Sequence, residues 1–283
     1  MKRYYLLFLM INCHAFSSIE LFDENNVIDY NENIILNRGV PFNADYVLKK
    51  YEHEIDGKTF VYYPAKSPKR LIISFGYAAP FKAYGMWSWF WKDDEDWDDT
   101  AYLFLSDGYN WFLGTHDKPV FNTYINLIKH FIELCKLKPE NVYTVGASAG
   151  GYAAILFGCT LGLRGAIADV PNYDPETWNA SIGWQMIKPE IAWKDLSKVI
   201  LESPKIPFIS IHHGDWSADV VAAHKIIDAL KQRQAFYSVR RTVLKYHTAF
   251  TVNKEFVERE IEHMETQEDL EQRVIAQQLA LYH

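Results

Sequence analysis

Cysteine is scarce. Cys13, Cys135 and Cys159 are an odd set of three in 283 residues, with neither a disulfide framework nor metal-ligand spacing between them. Cys135 and Cys159 fall in apolar, helical contexts and are expected as reduced core residues. Long apolar runs are also missing: no segment reaches the ~20 residues that a membrane-spanning helix needs, so a soluble protein is expected. Positive charge is in deficit, with 29 Lys and Arg against 36 Asp and Glu, a net charge of −7 and a pI near 5.8. That balance offers no general electrostatic footing for nucleic acid. No repeat and no linker rich in Pro, Gly or Ser divides the chain. Residues 1–283 are therefore expected to form one domain, with an N-terminal extension over 1–50.

The N-terminus has two readings. Lys2-Arg3 followed by the short apolar run Tyr4 to Ile11 and by Cys13-His14-Ala15 half meets the pattern of a signal peptide. The same residues suit an edge β-strand, which is the favoured reading and implies a cytoplasmic protein. A leader peptide would instead imply a periplasmic or secreted one.

What the sequence does contain centres on Val142 to Leu156. A β-favouring run, Val142-Tyr143-Thr144-Val145, enters Gly146-Ala147-Ser148-Ala149-Gly150, and an alanine-rich helical run leaves it. Strand, tight turn and helix in that order are the context of a nucleophile elbow, with Ser148 exposed at the strand's carboxyl end. No Lys-Ser/Thr follows the glycines, so a phosphate-binding loop does not fit.

Around this stretch the chain alternates strand and helix. Residues 20–50 read as Asn-rich and irregular. Tyr51 to Pro64 reads as a hairpin turning at Asp56-Gly57. Leu71 to Phe75 and Ala101 to Leu105 are continuous apolar strands of the kind buried on both faces. Phe121 to Lys136 has helical spacing. Later strands are expected at Gly165 to Ala168, Ile206 to Ile211 and Ala235 to Leu244, with a helix over Asp219 to Lys231. The pattern predicts an α/β fold with a doubly wound, mostly parallel sheet and helices on both faces. Residues 172–204, with Trp178, Trp184 and Trp193, read as an aromatic-rich insertion roofing the site. Tyr84 to Trp91, followed by the acidic stretch Asp93 to Asp99, suits either a carbohydrate platform or a helix with a buried aromatic face. No EF-hand spacing accompanies those acids, and no metal is expected.

A serine hydroxyl needs a base, and the order expected for this architecture is Ser, then Asp or Glu, then His. His247 follows the last strand and occupies the late position. The acid is Asp215 or Asp219, which flank Ser217, the place three residues after Gly214. Asp215 is favoured because Asp219 opens a helical pattern and N-capping accounts for it. Asp169, ending the preceding strand, is a third candidate. Oxyanion donors are expected from the backbone of Ala149 and from Gly76 or Tyr77, in the loop after Leu71 to Phe75.

Gly146 to Gly151 with Asp215 and His247 resembles the α/β-hydrolase superfamily over roughly residues 55–260. More narrowly, Ile72 to Phe75, Ser106-Asp107 to Leu113-Gly114, the doubled Gly150-Gly151 and Asp169-Val170-Pro171 resemble bacterial serine-dependent O-acetyltransferases of capsule and surface glycans, including the accessory Sec-system glycan acetyltransferases. The displaced acid departs from the usual pattern. The resemblance implies acyl chemistry through a Ser-His-Asp triad, as an esterase or an O-acetyltransferase, on a small-molecule ester or a bacterial glycan. It implies no bound cofactor, with acetyl-CoA as the acyl donor of one form of transferase. The alternative is a catalytically inactive hydrolase-fold scaffold of surface-glycan biosynthesis.

Overall fold

The computed structural model describes residues 42–91, 99–172, 190–247, 249 and 254–266. The N-terminal run, the acidic stretch 92–98 and residues 173–189, with Trp178 and Trp184, lie outside the described residues.

The described chain opens with helix α1 (Ala44–Tyr51), where an irregular segment was expected. The Asn43 side chain accepts the Tyr46 N–H at 3.0 Å and caps it, and Val47 and Tyr51, four apart, bury one face. One turn of apolar spacing is too short a signal to read in sequence. β1 (Glu52–Ile55) and β2 (Lys58–Tyr63) form the hairpin, with Ile55 opposite Lys58. Both turn residues, Asp56 and Gly57, take positive φ as a two-residue hairpin of type I′ needs.

Five further strands follow in β3 (Arg70–Phe75), β4 (Thr100–Leu105), β5 (Val142–Ala147), β6 (Gly165–Asp169) and β7 (Phe208–His213), and β8 (Tyr237–Arg241) ends the sheet. The order across the sheet is β1-β2-β4-β3-β5-β6-β7-β8. β1 and β2, and β2 and β4, pair antiparallel, and every other pair is parallel. The helices between strands are α2 (Phe121–Leu134), α3 (Ala149–Leu161), α4 (Leu196–Glu202) and α5 (Ser217–Gln232), and α6 spans 254–266.

Alternate strand residues feed two cores. Leu71, Ile73 and Phe75 of β3 and Ala101, Leu103 and Leu105 of β4 face one layer, with Phe131 of α2, Ile155 of α3, Ile200 of α4 and Ile226 of α5. Ile72, Tyr102, Phe104, Tyr143 and Val145 face the other, with Val47 of α1 and Val257, Ile261 and Met264 of α6. Period-two alternation with both faces apolar leaves no polar side, so the central strands need helices on both faces. Cys135 and Cys159 are buried, unpaired thiols, and burial pushes the Cys159 thiol up to about 12 despite the Ser203 hydroxyl beside it.

One further expectation changes here. Tyr84 to Trp91 forms successive turns rather than a helix. Phe90 and Trp91 lie in the second core, and Trp91 packs edge-on against Phe42, Tyr51 and Tyr63. The described part of the stretch thus packs onto the second core, with Trp87 and Trp89 half-buried against it. At the end of the 172–204 segment, Trp193 packs against Trp111 and Tyr152, and α4 packs against α3 and α5, with Leu196 and Ile200 buried. Its helix carries an apolar stripe that the sheet's helical layer absorbs. Among the described residues, no helix is long and apolar enough to cross a membrane.

Candidate active site

The direction of chain winding reverses between β3 and β5, because β4 lies outside β3 while β6 and β7 continue beyond β5. Crevices at the carboxyl ends of strands open at such a switch point. β5 ends there in Ser148. Its backbone has φ 57° and ψ −118°, a conformation sparsely populated by residues with a side chain. The turn is held from several directions: the Ser148 N–H donates to the Asp169 carbonyl at 2.9 Å, and the Ser148 carbonyl accepts from Tyr152 and Asn172. Close approach explains the flanking glycines. A Cβ on Gly146 would stand 2.4 Å from the Gly150 backbone, and one on Gly150 would stand 2.2 Å from the Phe75 carbonyl oxygen.

Ser148 Oγ lies 2.8 Å from His247 Nε2, and His247 Nδ1 lies 2.7 Å from Asp219 Oδ1. A carboxylate only accepts, so Nδ1 carries the proton and Nε2 presents its lone pair to the serine. Asp219 is 2% exposed, and its Oδ2 is buried with no partner among the described residues. Trp216 covers the imidazole, with ring centroids 5.2 Å apart.

The structure therefore brings Ser148, His247 and Asp219 together and leaves out Asp215, the favoured acid. Asp215 Oδ1 accepts from Arg241 Nε at 2.7 Å, on the exposed edge by β8. The reason is where α5 begins. Its N-cap is Trp216, with no side-chain cap bond, so Asp219 is the third residue inside the first turn rather than a cap. That extra half-turn aims its carboxylate inward at the histidine. Asp169 ends β6 fully buried, where its carbonyl serves the elbow.

The oxyanion donors are also narrowed. The Gly76 N–H donates to the Leu105 carbonyl at 2.8 Å, continuing the β3–β4 ladder, so Gly76 does not supply the second donor. Tyr77 follows it beyond the strand end, and Ala149 is the first residue of α3, where N–H groups have no carbonyl partner within the helix. Two neighbours of the serine were not singled out from sequence. Asn172 Oδ1 lies 3.2 Å from Ser148 Oγ and accepts the Trp111 indole N–H at 3.1 Å. Asn172 has one sequence signal, its place just past β6 on the carboxyl edge of the sheet. Trp111, at φ 51° beside Phe112 at φ 62°, has only its place in the Ser106 to Gly114 segment that follows β4. Among the described residues no group of His, Cys, Asp and Glu could hold a metal ion.

No model of a known protein family matches this sequence, and neither does any curated protein. Solved structures do resemble it. The capsule O-acetyltransferase of Neisseria meningitidis serogroup A aligns with a TM-score of 0.55 at 18% identity, over 76% of this chain and 93% of that one. A mutant of that enzyme in complex with CoA aligns with a TM-score of 0.51 at the same identity and coverage. An S-formylglutathione hydrolase from Agrobacterium tumefaciens aligns with a TM-score of 0.56 at 10% identity, over 76% and 93% of the two chains. The Francisella virulence factor BioJ follows at 0.52 and 14%, over 76% and 83%. With its sheet order, strained elbow and these likenesses together, this chain has the α/β-hydrolase fold.

Proposed function

We propose that the protein is a serine-dependent acyl-transfer enzyme in which Ser148 is the nucleophile, His247 the base and Asp219 the carboxylate that orients it. The observation that carries this reading is the unbroken hydrogen-bonded line from Asp219 through His247 to Ser148, ending on a serine in a strained turn. His247 Nε2 takes the Oγ proton as Oγ attacks the acyl carbon, and Asp219 stabilises the imidazolium that forms. The N–H groups of Ala149 and Tyr77 would receive the oxyanion. The leaving group departs with the proton from His247, and a water or a sugar hydroxyl then discharges the acyl-serine by the same steps in reverse roles.

The donor is an activated small-molecule ester or thioester. Acetyl-CoA is one such compound, and CoA is bound in a mutant of the capsule O-acetyltransferase whose fold this chain resembles. For the acceptor we propose a bacterial glycan. Half-buried Trp216 against His247, and Tyr246 at 73% exposure beside it, offer an aromatic face to a sugar ring at the reacting centre. The hydrogen bond between Asp219 and His247 favours this reading over the inactive scaffold, whose support was the displaced acid.

The test is covalent labelling with a fluorophosphonate together with p-nitrophenyl acetate turnover. Ser148→Ala should abolish labelling and lower turnover by at least about 10³-fold. Undiminished labelling in that variant refutes the assignment. Transfer of an acetyl group from acetyl-CoA to a polysaccharide, lost in the same variant, separates transferase from esterase.

A further inference from the structure

The Ser148 hydroxyl has one proton and two acceptors. His247 Nε2 stands at 2.8 Å, and Asn172 Oδ1 stands at 3.2 Å. The amide orientation is settled by chemistry: the Trp111 indole N–H can only donate, so the group it meets at 3.1 Å is the Asn172 oxygen. That same oxygen faces Ser148. Both residues are deeply buried, Trp111 at 2% and Asn172 at 5% exposure, and the Asn172 N–H is tied to the Ser148 carbonyl. Trp111 is delivered by two consecutive bulky residues in the left-handed region, a conformation that persists only where its surroundings hold it. Asn172 is therefore a fixed acceptor aimed at the nucleophile, built at a conformational cost.

We propose that Asn172, clamped by Trp111, favours discharge of the acyl-enzyme. This inference rests on Ser148 being the nucleophile. The argument is one of differential interaction. In the free enzyme Oγ carries a proton and can donate to Asn172 Oδ1. In the acyl-enzyme Oγ is an ester oxygen with no proton, so the same two oxygens face each other lone pair to lone pair. The Oγ–H bond and its donation to Asn172 return only when water or a sugar hydroxyl takes the acyl group, gives its own proton to His247, and His247 returns a proton to Oγ. Asn172 thus stabilises the states on either side of the acyl-enzyme and not the acyl-enzyme itself. Trp111 keeps Oδ1 satisfied in the meantime, so the loss does not strand a buried acceptor.

A single neutral hydrogen bond present in one state and absent in the other shifts their balance about fivefold. With p-nitrophenyl acetate in stopped flow, Asn172→Ala should show a larger burst of nitrophenolate, with kcat and KM lowered together by the same factor, up to about fivefold, and kcat/KM unchanged. Intact mass at steady state should show a correspondingly greater fraction of acetylated Ser148. Asn172→Asp restores an acceptor and should return the acylated fraction to the wild-type level or below. Its carboxylate, within ~6 Å of His247 through their shared Oγ, should also move the acid limb of kcat/KM to higher pH. Trp111→Phe keeps Asn172 and removes its clamp, so it should fall between wild type and Asn172→Ala. Its thermal midpoint separates misfolding from the kinetic effect. Equal acylated fractions in wild type, Asn172→Ala and Trp111→Phe overturn the proposal, as does a loss of burst and turnover in parallel with KM unchanged. Absence of fluorophosphonate labelling in the wild type instead overturns the nucleophile assignment beneath it.

Discussion

Asp215 and Asp219 are four residues apart, yet their surroundings assign them opposite work. Asp215 pairs with an arginine that is two-thirds exposed, a contact that solvent screens to at most about 1 kcal/mol. Asp219 is buried and hydrogen-bonded to the imidazole. Asp219→Asn should therefore lower kcat for p-nitrophenyl acetate by about 10²- to 10⁴-fold, because the amide no longer enforces the Nδ1–H tautomer. Asp215→Asn should leave it within about threefold. The reverse outcome would return the acid to Asp215. Sequence alone could not separate the two, since the choice depends on whether α5 begins at Ser217 or at Asp219, and helix ends are the least legible feature of a sequence. His247 was legible because its order and its place after the last strand both pointed the same way.

At the scale of elements, the elbow joins β5 and α3 with almost no space to spare. Gly150→Ala places a methyl group 2.2 Å from the Phe75 carbonyl oxygen, which is backbone and cannot rotate away. Forcing β3 and α3 apart should cost about 1–3 kcal/mol or more in urea unfolding and remove fluorophosphonate labelling. Full labelling with unchanged stability would show that the turn relaxes freely. The strands themselves were legible as unbroken apolar runs, and β3, β4 and β5 fall within a residue or so of where those runs lie. The Trp-rich segment 84–91 was legible only as aromatic. Whether tryptophans meet a ligand or a core depends on which sheet face lies opposite, and here Tyr102, Phe104 and Tyr63 do.

At the scale of the molecule, the far face of the sheet is tied to α6 by a buried polar cluster. Glu260, 1% exposed, accepts from Ser210 of β7 and from Arg240 of β8, with His212 of β7 3.8 Å away. Burial alone would push its carboxyl up, but His212, Ser210 and Arg240 outweigh that and hold it at about 2 against an ordinary 4.5. A depressed carboxyl contributes stability above its unfolded value and loses it as pH falls through the folded one. The contribution should be present in full above about pH 5 and fade between 4.5 and 2, on the order of 3 kcal/mol from the size of the shift. Glu260→Gln should lower the urea midpoint at neutral pH and flatten the decline in stability over that window. Parallel acid-unfolding curves for the two proteins would refute the linkage. Because α6 follows His247 in the chain, the same substitution tests how far this clip steadies that histidine.

The sequence by itself determined the sheet, the elbow and the histidine. Each is written in short-range pattern: continuous apolar runs for strands buried on both faces, small residues where backbones touch, and one histidine in the right order. Only the tertiary structure decided which carboxylate meets that histidine, that the Gly76 N–H goes to the β4 strand, that Trp91 is core with Trp87 and Trp89 packed against it, and that Trp111 holds Asn172 beside Ser148. These depend on distances between residues 61 or more apart in some cases and on a half-turn of helix in another. Local chemistry cannot specify them until the chain has closed around them.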